Sequence, residues 1–504
     1  MNPNARARTC ARRYLLAAIL SVAFFYHPTV GVAAPEKLPS LGDAAGEDLS
    51  PAAEKRLGDE IMRDARDAHE ILDDPESTEY LNHLGADLIE HAPPSPQSFH
   101  FFLVLDPDIN SFALPGGFIG VNSGLIIATL SESELASVMS HEMGHVIQRH
   151  IAREITREKQ TSIVALAGMV LGMVAMAKSN SPDAGEAAVA MGEGYMIQDK
   201  LNFSRSVERE ADRVGFQILQ DSGFDVAGMA TFFKRLEKAG ALYDTGAPAW
   251  LRDHPMTTER IADIQNRIRQ THYHQRPDSL EFNMIRARLR VLEDQSVEGL
   301  RDTALGFEDQ LRTGNYASEA AVRYGLVVTR LLQKDYAKAQ KELAALRALA
   351  PQSDPVIEDV AIELLLGEHR PEDAVKVAVA ARSRFPLSRT LVWNYAASLE
   401  EAVRANDAIV FLRDQITQYH HEPRLYELIA KSYLSKGDAM HEHQALAEEY
   451  DLNDDVPAAI EQLNLARSAG GGDFYEESEI DARLKELEAQ WLEMKKDKKA
   501  DAHL

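Results

Sequence analysis

The length, composition and charge of the chain exclude several classes of protein. Its 504 residues are too many for one ordinary hydrophobic core, so two or more folded units are expected. Hydrophobic residues make up 45% and charged residues 26%, which excludes a wholly disordered, collagen-like or membrane-embedded chain. The 79 acidic and 54 basic residues give a net charge of −25, so nucleic acid is not expected as a partner.

The segment 1–33 has the pattern of a secretory signal peptide. Four arginines precede an apolar run from Tyr14 to Phe25, and small residues follow up to Ala33. The segment contains no acidic residue. We predict that segment 1–33 is a signal peptide cleaved near Ala33; an uncleaved membrane anchor is the alternative. Cys10, the only cysteine, would be removed with it, so the mature chain would form no disulfide and would carry a net charge of −29.

From the leader to about residue 270, the pattern predicts an α+β unit that is mostly helical. Two helices are expected within residues 53–92. Apolar strands are expected at His100–Leu105 and Gly117–Val121. Further helical patterns cover residues 153–178, 203–221, 226–239 and 257–269.

Beyond about residue 275, the pattern is wholly helical and periodic. Ala339, Ala374 and Ala408 recur with a period of about 35 residues, and Pro351 and Pro386 are one period apart. This resembles tetratricopeptide repeats, in which a small alanine lets paired helices pack closely and the stacked pairs form a solenoid. The pattern loses its register towards the C-terminus, so a plain helical bundle is the alternative.

The segment His141-Glu142-Met143-Gly144-His145 has the spacing of a zinc site. Ser131 and Glu134 form a capping box just before it, which predicts that the segment lies within a helix. Residues four apart share one face of a helix, so both imidazoles could bind one zinc ion while Glu142 acts as general base. This chemistry is typical of zinc proteases.

A third protein ligand is expected, and spacing alone leaves both Glu208 and Glu210 open. At this point the chain resembles the gluzincin family that includes the prenyl-protein and HtpX-like proteases, which take the third ligand from a Glu-x-x-x-Asp motif. The resemblance implies that Glu208 binds the metal and that Asp212 orients a histidine. His150, five residues beyond the second histidine, is expected to point away from the metal, at the surface or behind a ligand.

Two further segments match this family. Residues 110–117 resemble the strand and turn beside the metal cleft, where an extended substrate could add as another strand; an ordinary hairpin turn is the alternative. The substrate-binding residues predicted on this basis are Asn110, Phe112, Ala113, Gly116 and Gly117.

His254 and Arg260 resemble a His-Pro and downstream Arg element of the family. Two roles for His254 remain open. It could be a fourth metal ligand that closes the site, or it could stabilise the oxyanion of the tetrahedral intermediate with help from Arg260. We favour the closing role, and a plain helix-terminal histidine is the third interpretation.

The apolar segment Ile163 to Ala177 is too short to span a bilayer. Core packing or covering of the cleft is favoured for it, with peripheral contact with a membrane as the alternative. These features together divide the chain into a signal peptide (1–33), a zinc metalloprotease domain (34–270), a tetratricopeptide-like all-α domain (275–475) and a charged tail (476–504).

The combination of leader, gluzincin core and helical repeats is similar to periplasmic proteases associated with outer-membrane β-barrel assembly. The resemblance implies a periplasmic endopeptidase with one Zn²⁺ per chain. Its substrates would be misfolded or misassembled outer-membrane proteins, the β-barrel assembly machinery would be a partner, and it would also assist assembly. A chaperone or adaptor with a vestigial metal site is the alternative.

Overall fold

A computed structural model gives the fold of the protein and describes residues 49–157, 205–242, 250–251, 254–272, 274–350 and 354–501. The predicted signal peptide and the apolar segment 163–177 lie outside these residues. Within the described part, no helix is both long enough and apolar enough to cross a membrane.

The first two helices are α1, Pro51–Asp67, and α2, Pro75–Ile89, as the sequence predicts. Both start with proline, whose fixed φ and missing N–H suit the first turn of a helix. The side chains of Ser50 and Asp74 cap them by accepting hydrogen bonds from backbone amides of the first turn.

A three-stranded sheet follows, with β1 at His100–Val104, β2 at Ser111–Ala113 and β3 at Phe118–Asn122. The order is β1-β3-β2, in which β1 is parallel to β3 and β2 is antiparallel to it. The two predicted strands are confirmed as neighbours. The third strand, β2, lies within residues 110–117, where the resemblance implied a strand and a turn, and it is at the edge of the described sheet.

Among the described residues, seven more helices belong to the first part of the fold, and most of them contribute side chains to its main hydrophobic core. They are α3 (Ser123–Ala128), α4 (Glu132–Ile147), α5 (His150–Arg157), α6 (Arg205–Asp221), α7 (Ala227–Leu242), α8 (Thr258–Gln270) and α9 (Leu280–Leu292). The predicted fold class, mostly helical α+β followed by an all-helical region, is confirmed.

Eleven helices are described beyond α9: α10 (Val297–Thr313), α11 (Glu319–Leu332), α12 (Tyr336–Leu349), α13 (Pro355–Gly367), α14 (Pro371–Arg384), α15 (Arg389–Glu401), α16 (Ala405–Gln418), α17 (Pro423–Lys436), α18 (Ala439–Leu452), α19 (Val456–Ala469) and α20 (Phe474–Asp501). The alternate helices α11, α13, α15 and α17 start at nearly equal intervals along the chain, at Glu319, Pro355, Arg389 and Pro423. The helical period therefore persists where the sequence pattern is lost.

The periodic alanines lie where the helices of a pair meet. Ala339, Ala374 and Ala408 are each 0% exposed on α12, α14 and α16. A methyl side chain at these positions lets neighbouring helices approach closely, as the sequence pattern suggests.

The predicted charged tail falls almost entirely within α20. Its Ile480, Leu484 and Leu487 are buried in a small core with residues of α18 and α19. The first half of this helix is therefore packed against its neighbours and is not a free charged extension.

Helix α9 joins the first part of the fold to the repeats. Phe282 and Ile285 belong to the main core, whereas Met284 and Ala287 belong to the first core of the repeats. The described residues accordingly form one compact unit. The predicted domain boundary near residues 270–275 stays a prediction. Helix α9, which follows it, contributes one face to each of the two cores.

Charged groups reinforce this junction. Arg288 of α9 is 6% exposed, and its guanidinium lies 2.7 Å from Asp74, 2.9 Å from Glu76 and 3.2 Å from Glu363. Asp74 and Glu76 flank the start of α2, and Glu363 belongs to α13. One buried cation thus connects the first part of the fold to the repeats.

We predict that Arg288→Ala lowers the free energy of unfolding by about 3–5 kcal/mol, because it leaves buried carboxylates without their counter-ion. Arg301→Ala is the control, since Arg301 is 63% exposed and its ion pairs contribute about 0–1 kcal/mol. Urea unfolding of both variants provides the measurement. Equal losses would show that the buried network does not stabilise the junction.

A neighbouring carboxyl should make stability depend on pH. Burial, assisted by the negative charge of Glu363, raises the pKa of Asp359 from 3.8 to about 7, against the opposing effects of a hydrogen bond to Glu76 and the charge of Arg288. A raised pKa in the folded state means that this contribution is complete below about pH 4 and is lost as the pH rises through about 7. We therefore expect Asp359→Asn to gain stability relative to the parent protein between about pH 4 and pH 8, measured by urea unfolding at each pH. The exposed Asp302→Asn should show no such trend.

Candidate metal centre

The two histidines of the metal motif lie on one face of α4, deep in the protein. His141 is 0% and His145 is 1% exposed, and their Nε2 atoms are 3.1 Å apart. The predicted N-cap is present at the start of the helix: Ser131 Oγ accepts from the Glu134 amide, while the Glu134 carboxylate accepts from the amide of Leu130, one residue before the cap. The sequence therefore predicted correctly the helix and the shared helical face of the two histidines.

Two glycines allow α6 to pack unusually close to α4. A Cβ on Gly144 would lie 2.7 Å from the carbonyl oxygen of Ala211, and one on Gly215 would lie 2.8 Å from the His141 amide nitrogen. Both distances are below any normal contact with backbone atoms, so side chains there would force the helices apart. This close packing brings Glu208 of α6 to the imidazoles.

Glu208 and His254 complete a group of four side chains around one point. Glu208 Oε2 is 3.5 Å from His141 Nε2, and Glu208 Oε1 is 3.6 Å from His145 Nε2. His254 Nδ1 is 3.1 Å from Glu208 Oε1 and 3.4 Å from His141 Nε2. All four side chains are buried, and each offers one ligand atom.

These separations fit a tetrahedral metal ion. Ligands at about 2.0–2.1 Å from zinc, arranged as a tetrahedron, lie about 3.3 Å from one another. Nitrogen and carboxylate oxygen donors are also the ligands that zinc accepts. Spacing in the sequence left Glu208 and Glu210 open; the fold brings Glu208, and not Glu210, into this group.

Asp212 lies behind the histidine that it was predicted to orient. Its Oδ1 is 3.0 Å from His141 Nδ1, which leaves Nε2 free to face the other ligands. Burial lowers the pKa of His141, but hydrogen bonds to Asp212 and Glu208 outweigh burial and raise the pKa to about 9. In the neutral ring, a proton on Nδ1 can be donated to Asp212, and this tautomer leaves the lone pair on Nε2.

Arg260 lies against the carboxylates of Glu208 and Asp212. It is 1% exposed and donates two hydrogen bonds of 2.7 Å to Asp212 and one of 3.0 Å to the Pro255 carbonyl. Its Nη1 also lies 2.8 Å from Glu208. The guanidinium is therefore committed to the carboxylates of α6, and we assign it to holding them in place instead of assisting an oxyanion.

Glu142 lies beside the ligand group and is held by a tryptophan. Trp250 Nε1 donates to Glu142 Oε1 over 3.2 Å, while Oε2 is buried and accepts no hydrogen bond from the described residues. Burial raises the pKa of Glu142, although His254 and His141 oppose the shift. A raised pKa suits a carboxylate that must take up and release a proton near neutral pH.

Comparison with known proteins agrees with this site. The sequence profile of peptidase family M48 matches residues 75–268. The β-barrel assembly-enhancing protease of Escherichia coli strain K12 is 31% identical over 465 residues, which cover 91% of this chain and 94% of that protein. The chain belongs to peptidase family M48.

Other relatives point to the same activity. The β-barrel assembly-enhancing protease of Yersinia pestis is 31% identical over 90% of this chain and 92% of its own length. The metalloprotease LoiP of Escherichia coli is 28% identical over 44% of this chain and 82% of its own length. This M48 chain is accordingly a metalloendopeptidase.

Trp250 is a site residue that the sequence analysis did not identify. It is 0% exposed, its ring stacks on His254 at 5.0 Å, and its amide donates to the Ile109 carbonyl just before β2. Its amide and indole therefore connect the segment before β2 to Glu142. The His254 amide donates to the Trp250 carbonyl, and the spacing of four residues between them was the available signal in the sequence.

His150 is buried, contrary to one of the two predicted positions. The chain leaves α4 at Arg149, which has a φ of 52°, and α5 starts at His150 in a new direction. His150 Nδ1 consequently lies 3.0 Å from His145 Nδ1, behind a member of the candidate ligand group. The prediction that His150 points away from the site assumed that α4 continues past His145 to this residue, but α4 ends at Ile147.

The predicted substrate segment divides into two parts. Asn110, Phe112 and Ala113 are half-buried at or beside the edge strand β2, which packs against α4 of this M48 core. Gly116 and Gly117 are buried in the turn, with φ values of 80° and 88°. A Cβ on Gly117 would lie 2.0 Å from the Ser98 carbonyl oxygen, so we assign these glycines to the turn and not to substrate binding.

The position of His254 leads to a prediction with two opposite outcomes. Its Nδ1 lies where a fourth ligand would close a tetrahedral site, so we expect His254→Ala to retain the metal and to raise basal cleavage of an unfolded protein. His83→Ala, which changes a histidine 59% exposed, is the control. Cleavage rate and bound metal are measured together. A loss of about 100-fold would instead support an oxyanion role, and no change in either quantity would exclude both roles.

Proposed function

We propose that the protein is a zinc-dependent endopeptidase of the bacterial periplasm that hydrolyses peptide bonds in misfolded or misassembled outer-membrane proteins. The observation that carries this proposal is the convergence of His141, His145 and Glu208 within 3.6 Å of one another, beside a buried Glu142. Two histidines and a glutamate are a ligand set of catalytic zinc in proteases. One zinc ion per chain is proposed.

The bound zinc would supply a Lewis acid that polarises the scissile carbonyl and lowers the pKa of water. Glu142 would take a proton from the attacking water through Oε2 and later deliver it to the leaving amine. Trp250 supports this step because its indole N–H holds Oε1 and fixes the orientation of the carboxylate. Asp212 and Arg260 keep His141 and Glu208 in position throughout.

An extended substrate would bind along the outer edge of β2, which pairs with no other strand among the described residues. The opposite edge of this strand pairs with β3 through Ser111, Phe112 and Ala113, and β2 lies against the metal helix α4. A peptide added as a further strand would form backbone hydrogen bonds that do not depend on its sequence. This mode suits unfolded or misassembled proteins as substrates.

Export and the relatives support the assignment to the envelope. The segment 1–33 has the pattern of a cleaved signal peptide, and two relatives are named β-barrel assembly-enhancing proteases. We assign partner docking, including docking to the β-barrel assembly machinery, to the helical repeats α10–α20. The four clustered residues all lie outside these repeats, so the repeats are free to serve a role other than metal binding. The similarity to the β-barrel assembly-enhancing protease of Escherichia coli covers 91% of the chain and therefore includes most of the repeats.

The test of the proposed chemistry is Glu142→Gln. We expect zinc content to be unchanged and cleavage of an unfolded protein to fall by about 100-fold or more, because an amide cannot take up the proton of water. The parent protein, treated with a chelator and then reloaded with zinc, provides the control for metal dependence.

Near-normal cleavage by Glu142→Gln would exclude Glu142 as the base. A parent protein that binds no zinc and cleaves nothing would favour the alternative of a chaperone or adaptor with a vestigial metal site.

A further inference from the structure

The two histidine ligands of α4 are supported in different ways. His141 Nδ1 faces the Asp212 carboxylate directly, at 3.0 Å. His145 Nδ1 faces another imidazole, His150 Nδ1, also at 3.0 Å. The far nitrogen of His150, Nε2, lies 3.1 Å from Glu210 Oε2, and Arg153 donates to the same oxygen over 2.8 Å.

From this geometry we infer that His150 and Glu210 form a relay that fixes the tautomer of His145 and orients it towards the metal. The inference rests on the proposed zinc site. His150 and Glu210 are positioning residues, since they act through His145 and do not belong to the ligand group.

The assignment of protons follows from the ligand atom. His145 Nε2 must present a lone pair to a metal, so the proton of a neutral His145 is on Nδ1. Two nitrogens 3.0 Å apart share one proton, so His150 Nδ1 accepts it. His150 then carries its own proton on Nε2 and donates it to Glu210. A carboxylate at the end of the relay thus sets the tautomers of both rings.

The backbone is built to place His150 there. Arg149 adopts a φ of 52°, a left-handed conformation that is unfavourable for an arginine. Its guanidinium donates to Glu54 over 3.0 and 3.1 Å and to the Leu49 carbonyl over 2.7 Å, all in the buried interior. These bonds stabilise the reversal of direction after α4. As a result, His150 is 2% exposed and its ring centroid lies 4.8 Å from that of His145.

The relay also explains the second glutamate on α6. Glu208 and Glu210 lie on different sides of the helix, because two residues correspond to about 200° of rotation. Glu208 enters the ligand group, and Glu210 reaches the other side of His145 through His150. A single helix therefore supplies a ligand and the supporting carboxylates of both histidines, Glu210 and Asp212.

Two substitutions at His150 distinguish the hydrogen-bonding role of this side chain from its role in filling space. His150→Asn retains an acceptor near the place of Nδ1 but loses the ring, whereas His150→Phe retains the ring volume but loses the acceptor. The measurement is zinc affinity of the purified full-length protein, by competition with a fluorescent chelator, with circular dichroism of the metal-free protein as a check on folding. We expect His150→Phe to bind zinc about 10–100-fold more weakly and His150→Asn to remain closer to the parent protein.

A second pair covers the case in which His150→Phe does not fold. Glu210→Ala should weaken zinc binding by about 10-fold, and Glu210→Gln should preserve most of the affinity because its amide oxygen still accepts from His150. Equal affinity in Glu210→Ala and the parent protein, or better zinc binding by His150→Phe than by His150→Asn, would overturn the relay. A parent protein that does not bind zinc would instead contradict the proposed function.

Discussion

The site depends on how closely helices α4 and α6 approach each other. Gly144 on one helix and Gly215 on the other leave room for backbone to pack against backbone, where any Cβ would lie less than 3 Å from main-chain atoms. Helix axes usually lie about 8–10 Å apart, which is far for a glutamate side chain to span. The two helices are closer than this at the glycines. Glu208 therefore reaches both imidazoles because Gly144 and Gly215, on the same two helices, have no side chains.

Charge around the site is arranged in successive layers. The histidines and Glu208 face one another, Asp212 lies behind His141, and Arg260 binds both carboxylates. Buried carboxylates without such partners would be costly, so each layer stabilises the one inside it. Glu142 is the exception, because one of its oxygens is held by Trp250 and the other accepts nothing from the described residues. Glu142 thus differs from Glu208 and Asp212, whose carboxylates are both ion-paired with Arg260.

The repeats and the catalytic part of the fold are integrated through α9 and α2. Arg288 connects carboxylates from both sides, and Glu79 of α2 accepts hydrogen bonds from the Arg389 and Thr390 amides at the start of α15. A carboxylate at a helix N-terminus is favoured by the helix dipole. These contacts are buried or half-buried and specific, so they join the repeats directly to the elements that enclose the metal site.

The sequence alone determined the elements whose signals are local. Spacing within α4 predicted that His141 and His145 share a helical face, and the alanine period predicted the paired helices. Only the tertiary structure decided contacts between distant segments, such as Glu208 over Glu210, the indole of Trp250 on Glu142, and the return of His150 to the site. These depend on helix packing and on a left-handed residue after α4, and such geometry leaves no periodic trace in the chain.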